Sequence, residues 1–316
     1  MLYDIATLTM NPALDRTIVF ETELFIPGNL HRVSKGSVYE NAGGKGINVA
    51  RVLKKLGTDA KAYCFTGGRN GERLKELLKA EKINGVYIES QAETRMNIKI
   101  IDKASVCTEI NENGGPVTDS ELGELLKIHR KSTGNPQAFI IAGSIPQGVE
   151  KSVYKLLITM WKKCGSYTVL DCDGEALRHG IEGKPDLIKP NQNELSQLVG
   201  TDVSTPEKAV EKAKELYTAY GVEILCTLCG KGAVFAGAEG LWKVNSPQVT
   251  VRGFSGAGDT FLAAFLYERY NTGSVPQALR FAASAAAVKV EKYGTEIPDF
   301  AEMKKYTGVV TTEKID

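Results

Sequence analysis

From about residue 135 onward, short apolar runs alternate with helical patterns, and this alternation limits the possible fold more than any other feature. "AFIIAG" (138–143), "YTVLDCD" (167–173), "DLIKP" (186–190) and "VEILCTL" (222–228) have strand length. Between them fall "EKSVYKLLITMWKKCG", "NELSQLVG" and "TPEKAVEKAKELYTAYG", the last opening at Thr205-Pro206 and closing at Gly221 as a capped helix should. Strand–helix–strand alternation predicts an α/β fold with a mostly parallel central sheet covered by helices on both faces.

The first third reads differently. "GKGINVARVLKKLG" (44–57) puts Val49, Val52, Leu53 and Leu56 on one helical face, and "DAKAYCFTGG" (59–68) is the strand after it. "RTIVFET" (16–22), "HRVSKGSVYE" (31–40), "MNIKIID" (96–102) and "VCTEIN" (106–111) read as strands without crossover helices. We expect one domain over residues 1–316, with a small β lid inserted from about 12–40 and 86–113. An exposed edge of such a lid invites a second copy, hence a possible homodimer through the lid.

Several function classes are excluded by composition. A net charge of +1 leaves no basic face for nucleic acid or anionic lipid. No apolar run reaches 18 residues and the amino terminus lacks a basic n-region, so no membrane partner and a cytoplasmic location are expected. Six scattered cysteines read as reduced thiols. Cys226-Thr-Leu-Cys229 lies on an apolar strand, where neither a redox motif nor a zinc site is expected, and three histidines (His31, His129, His179) make no metal centre.

Two glycine clusters open helices. In "GFSGAGDTF" (253–261), Gly256, Ala257 and Gly258 place small residues where helix N-terminal amides are unpaired, which suits a phosphoryl group, and Asp259 stands beside them as a candidate base. The same residues could be a tight turn with Asp259 as a helix cap. In "NAGGKGINVA" (41–50), Gly43, Gly44 and Gly46 admit a small polar ligand, Asn48 can bond hydroxyls, and Lys45 adds a cation. Neither cluster is a P-loop or a dinucleotide fingerprint: Gly46 stands where the P-loop hydroxyl belongs, and Phe261 where the third fingerprint glycine belongs. Asp15, after the first strand, stands where open α/β sheets bind ligands. In "LIKPNQNEL", Asn191 and Glu194 suit either indirect Mg²⁺ or phosphate contacts or an N-capping box.

"GGKGINVAR", "TRMNIKI", "AGSIPQG", "KPNQNEL" and "GAGDTF", in this order across most of the chain, resemble the ribokinase-like (PfkB) carbohydrate kinases. The resemblance implies a sheet flanked by helices, a β lid, and Mg²⁺-assisted transfer of the ATP γ-phosphate to a sugar hydroxyl. It implies Asp259 as catalytic base, with the amides of Gly256, Ala257 and Gly258 as the anion hole. Asp15, Gly43, Gly44 and Asn48 would meet the sugar, Asn191 and Glu194 would lie near Mg²⁺ and phosphates, and Lys189, Thr227, Gly230 and Gly232 would meet the nucleotide. Members often carry Gly where Cys229 stands here. "LTMNPALDRT", Lys45, "TRMNIKI" and "TEIN" resemble the branch acting on phosphorylated ketohexoses. Arg32, Lys45, Arg95 and Lys99 supply cations that a sugar phosphate needs and a neutral sugar does not. The resemblance leans toward fructose 1-phosphate as acceptor, giving fructose 1,6-bisphosphate, with tagatose 6-phosphate next. A nucleoside or ribose kinase leaves those cations unused, and a non-enzymatic sugar sensor leaves Asp259 unused.

Overall fold

The computed structural model describes residues 4–21, 30, 32–33, 35–103, 107–131, 136–294 and 296–315. The amino-terminal part contains β1 (Ile5–Thr9), β2 (Ala13–Val19), β3 (Val38–Gly43), α1 (Lys45–Lys55), β4 (Ala60–Thr66) and α2 (Gly68–Ala80). It continues through β5 (Asn84–Glu89), β6 (Arg95–Ile101), β7 (Cys107–Asn111) and α3 (Asp119–Lys131). Then come β8 (Ala138–Ala142), α4 (Val153–Lys163), β9 (Tyr167–Asp171), α5 (Gly174–Ile181), β10 (Leu187–Ile188), α6 (Gln192–Val199) and α7 (Pro206–Tyr220). The chain ends through β11 (Glu223–Thr227), β12 (Ala233–Gly237), β13 (Gly240–Val244), α8 (Ala257–Thr272), α9 (Val275–Val290), α10 (Phe300–Met303) and β14 (Thr312–Ile315).

Ten strands form one sheet in the order β14-β13-β12-β11-β10-β9-β8-β1-β4-β5. From β11 to β5 every pairing is parallel, whereas β12, β13 and β14 add an antiparallel edge. Every residue of β1 and β8 is buried, as strands covered on both faces must be, and this explains the uninterrupted apolar run of β8. One core face packs α1, α8 and α9 under the sheet; the other packs α4 to α7. The alanine-rich stretch of α9 lets it lie close against α8, and both helices are largely buried. The helix expected after Thr205 is capped as read: Thr205 Oγ1 accepts from the Lys208 amide at 3.3 Å, Pro206 is the first helical residue, and Gly221 closes it at φ 66°.

The smaller sheet has the order β3-β2-β6-β7 and packs on the starts of α1 and α2. It joins two separate chain pieces, as the sequence predicts, but its edges differ. The first lid strand spans 13–19 rather than 16–22, and Thr22 lies outside the described residues. The expected strand 31–40 begins only at Val38, after a 3-10 turn at Lys35–Ser37, and runs on into the glycine cluster at Gly43; His31 and Ser34 lie outside the described residues. Of 106–111, Val106 does too. Residues 86–89 belong to β5 of the large sheet, so the second lid piece is β6 and β7.

Candidate active site

Parallel strands all present their carboxyl ends on one side, and there β9 ends in Asp171, β10 runs into Lys189, and β11 ends in Thr227. The amino ends of α1, α6 and α8 point to the same place and add Lys45, Asn48, Glu194 and Asp259.

Asp259 lies in the first turn of α8, buried to 6% exposure. The Asn48 amide nitrogen donates to its Oδ2 at 2.8 Å. Burial, followed by the charge of Asp171, pushes its carboxyl up to about 6, against the opposing pull of Lys45, the Asn48 bond and Lys189. It is not a helix cap: the N-cap is Gly256, at φ 79°, and no side chain caps this helix. The first-turn amides are thus exposed to whatever approaches. Ala257 is the exception to the expected anion hole, because its N–H donates to the Phe254 carbonyl at 3.2 Å, completing the turn before the helix. A methyl group on Gly258 would lie 3.4 Å from Lys189 Nζ, so an ammonium flanks these amides. Across the cleft, Ser255 Oγ donates to Glu109 Oε1 of β7 at 2.7 Å, joining the lid to this loop.

Asp171, absent from the sequence reading, is fully buried between Lys45 Nζ at 2.9 Å and Lys189 Nζ at 3.1 Å. Burial alone would raise its carboxyl, but Lys189 and Lys45 outweigh burial and hold it below its ordinary value. Lys45 also reaches Glu194 at 3.2 Å. Burial would lower the Lys45 ammonium; Asp171, Glu194 and Asp259 instead hold it well above its ordinary value. Lys45 thus closely follows lid strand β3 while its side chain reaches the β9 and α6 side of the cleft. A carboxylate ending an otherwise apolar strand, in "YTVLDCD", was the available signal for Asp171.

The lid cations are held in different ways. Lys99 is buried and paired to Asp15 Oδ2 at 2.9 Å, while Asn97 donates to Asp15 Oδ1 at 2.8 Å. Asp15 itself is in β2 opposite Asn97, not in a loop. The Arg95 guanidinium donates to the Asn11 and Glu112 carbonyls and to Asn97, at 2.9–3.2 Å. Burial lowers its pKa against the pull of Asp15 and Glu112. Arg32 is exposed. Arg95, Asn97 and Lys99 alternate along β6 and so share one face. Asn97 was missed because a strand asparagine carries no pattern of its own.

Gly43 has an internal reason to be glycine: a Cβ there would sit 2.5 Å from the Asp15 carboxyl carbon. Gly44 combines φ 118° with a clash against Thr9. Asn48 Oδ1 is buried without a hydrogen-bond partner among the described residues, an acceptor left for something else.

On the other flank, Asn191 and Glu194 form a complete capping box. Asn191 Oδ1 accepts from the Glu194 amide at 2.9 Å, and Glu194 Oε2 from the Asn191 amide at 2.8 Å. With Glu194 Oε1 on Lys45, both carboxylate oxygens are engaged. Among the described residues no group of three His, Cys, Asp or Glu side chains could hold a metal ion. With Asn191 Oδ1 and both Glu194 oxygens engaged, these two residues suit contact with Mg²⁺ through water or phosphate rather than direct coordination. Thr227 bridges Asn191 at the end of β11. Beyond it Gly230 is open on its side-chain face, and Gly232 packs on the Val244 carbonyl at φ 96°. Cys229 sits at φ 52°, a left-handed conformation that explains a glycine preference at this position. Cys226 is buried in β11 and Cys229 exposed, and both are free thiols.

A parallel sheet whose carboxyl edge carries a glycine-lined helix start beside a buried carboxylate defines an α/β phosphotransferase with a hydroxyl acceptor. The chain belongs to the pfkB family of carbohydrate kinases, whose pattern it matches over residues 9–301. It is 33% identical over 294 residues to 1-phosphofructokinase of Bacillus subtilis, covering 92% of this chain and 95% of that one. It is 30% identical over 319 residues to tagatose-6-phosphate kinase of Staphylococcus epidermidis, covering 99% and 96%. Its fold matches phosphofructokinase-2 from Escherichia coli, solved in complex with substrates and products, with TM-score 0.90, 27% identity, and 97% and 99% coverage.

Proposed function

We propose that this kinase transfers the γ-phosphoryl group of ATP to O6 of fructose 1-phosphate, giving fructose 1,6-bisphosphate and ADP. The observation that carries the reading is the buried Asp259, poised near neutrality behind an uncapped helix start. Its carboxylate accepts the proton of the primary hydroxyl as that oxygen bonds to the γ-phosphorus and the bond to the ADP oxygen breaks. The amides of Gly256 and Gly258, with Lys189 beside them, hold the charge that spreads over the phosphoryl oxygens. Asn48 orients Asp259 through Nδ2, while its unpartnered Oδ1 accepts a sugar hydroxyl. Asp15, held by Asn97 and Lys99, faces the same ring from the lid; Arg95 and Arg32 attract the sugar's own phosphate. Lys45, Thr227, Gly230 and Gly232 serve the nucleotide side. Mg²⁺ entering with ATP would neutralise phosphate charge, with Asn191 and Glu194 reaching it only through water or phosphate.

The relatives named 1-phosphofructokinase support the acceptor; the tagatose-6-phosphate kinase at 30% identity supports the second reading, phosphorylation of tagatose 6-phosphate at O1. The free cysteines suit a reducing cytoplasm, and no helix among the described residues is long and apolar enough to cross a membrane. A second copy covering β7, every residue of which is exposed, is the proposed homodimer contact. Measuring ADP release with fructose 1-phosphate, tagatose 6-phosphate, fructose 6-phosphate and fructose under identical Mg-ATP tests the assignment. A clear preference for tagatose 6-phosphate overturns the acceptor and leaves the kinase mechanism; no turnover with any of them overturns the reading.

A further inference from the structure

Lys289 is a lysine with no exposed surface, in the alanine-rich stretch near the end of α9. Its Nζ donates to the Gly294 carbonyl at 2.8 Å, and no carboxylate among the described residues is within ion-pair distance. Burying an ammonium with a carbonyl as its hydrogen-bonding partner is costly, and such a group persists where its charge is used.

Its surroundings show where that charge acts. A methyl group on Gly256, the N-cap of α8, would lie 3.5 Å from Lys289 Cε and 3.9 Å from Asn48 Nδ2, so this side chain lies directly behind the glycine turn. The turn is tied to the same place by its backbone: the amides of Arg252 and Gly253 donate to the Val290 carbonyl at 2.7 and 3.2 Å. Gly294, which holds the ammonium, packs on Thr17 of lid strand β2, where a Cβ would come within 2.8 Å of the hydroxyl. Lid, α9 terminus and anion-binding turn thus meet at one cation.

We infer that the Lys289 ammonium is a fixed, built-in cation that holds the 252–256 turn in its anion-binding shape and adds positive potential behind it, a positioning residue for phosphoryl transfer. The inference rests on the reading of Gly256 to Gly258 as the phosphoryl site. The carbonyl contact alone needs only a hydrogen-bond donor, which a glutamine supplies; the potential needs the charge. Around Lys289 stand Lys99 of β6 and Arg51 of α1, both repelling it, and Glu296 and Asp259 of α8, both attracting it. Burial first, then the two cations, brings its pKa down to about 8. The charge is present below that pH and is lost as pH rises through it.

The test uses full-length enzyme with fructose 1-phosphate and Mg-ATP. Lys289→Gln and Lys289→Met are each expected to lower kcat roughly ten- to hundredfold, with a smaller change in KM. The wild-type decline in kcat above about pH 8 should vanish in both. Ammonium chloride, set against sodium chloride at equal ionic strength, should restore part of the Lys289→Met activity by refilling the vacated space. Should Lys289→Met fail to fold, the Lys289→Gln kinetics and the wild-type alkaline limb still decide. A folded Lys289→Gln with wild-type kcat and an unchanged alkaline limb overturns the role of the charge. Absence of wild-type turnover in the same assay instead overturns the phosphoryl-site reading on which it rests.

Discussion

Asp15 in the lid and Asp259 at the start of α8 are both buried, to 3% and 6% exposure, yet they are stabilised in opposite ways. Asp15 has a lysine on one oxygen and an asparagine amide on the other. Asp259 has a single neutral donor, Asn48, and a negative neighbour in Asp171. A carboxylate surrounded like Asp15 is a structural ion pair whose removal strands its partner. A carboxylate surrounded like Asp259, where burial and Asp171 outweigh the pull of Lys45, Asn48 and Lys189, suits the proposed base. Asp171 sharpens the contrast: two carboxylates in one cleft are pushed apart, Asp171 down by its two lysines and Asp259 up to about 6.

The largest test of this contrast is Asp259→Asn, expected to lower kcat by about 10²–10⁴-fold with substrate binding kept. Retention of more than about a tenth of wild-type kcat removes Asp259 from the base role. Asp15→Asn should instead cost about 3–5 kcal/mol of stability, because Lys99 is left buried and unpaired, together with weaker sugar binding. Thermal melts read this directly, and an unchanged Tm would show that the pair is not held as described.

Protonation gives Asp259 a signature of its own. The folded Asp259 binds its proton more tightly than an ordinary carboxyl of 3.8, so its contribution to stability falls as pH rises from about 4 through about 6. Asp259→Asn should therefore melt higher than wild type at pH 8, with the gap closing toward pH 4. Wild-type kcat/KM should rise with pH through about 6 as the base ionises; a flat profile there breaks the assignment.

Lys45→Met is the next smaller effect. Loss of a charge-assisted partner of a phosphate costs about 1.5–3 kcal/mol. Because Lys45 faces Asp171 and Glu194, the rise in KM should be for ATP rather than the sugar phosphate; the opposite pattern would return it to the lid cations. The smallest effect is Cys229→Gly, expected to stabilise by roughly 1 kcal/mol by relieving a left-handed cysteine, as seen in Tm.

Much of the frame was legible because it is written locally. Strand length, the Thr205-Pro206 start and the glycine-opened helices are each decided within a few residues, and the structure keeps them. The two lid pieces were visible as β runs without crossover helices, although their ends moved by several residues where turn and strand compete. What stayed hidden was pairing at a distance. Nothing near Lys45 says that it will meet Asp171, 126 residues on, or Glu194, 149 residues on. Asp15 follows the first strand in "NPALDRT", which contains turn formers, yet the ladder to β6 captures it as strand. Lys289 sits in a run of alanine and valine that reads as plain core helix.

The Asn48–Asp259 hydrogen bond spans 211 residues, and this has a consequence for biosynthesis. Sequence-distant contacts form late, and a chain emerging from the ribosome presents its amino-terminal residues first. When α1 and the lid strands have emerged, the proposed base, the proposed anion-binding turn and α9 are still to be made. An unfinished chain therefore has no means of consuming ATP. On the proposed roles, Asp259 can meet Asn48 only once α8 has been made, so activity waits on the last part of the chain.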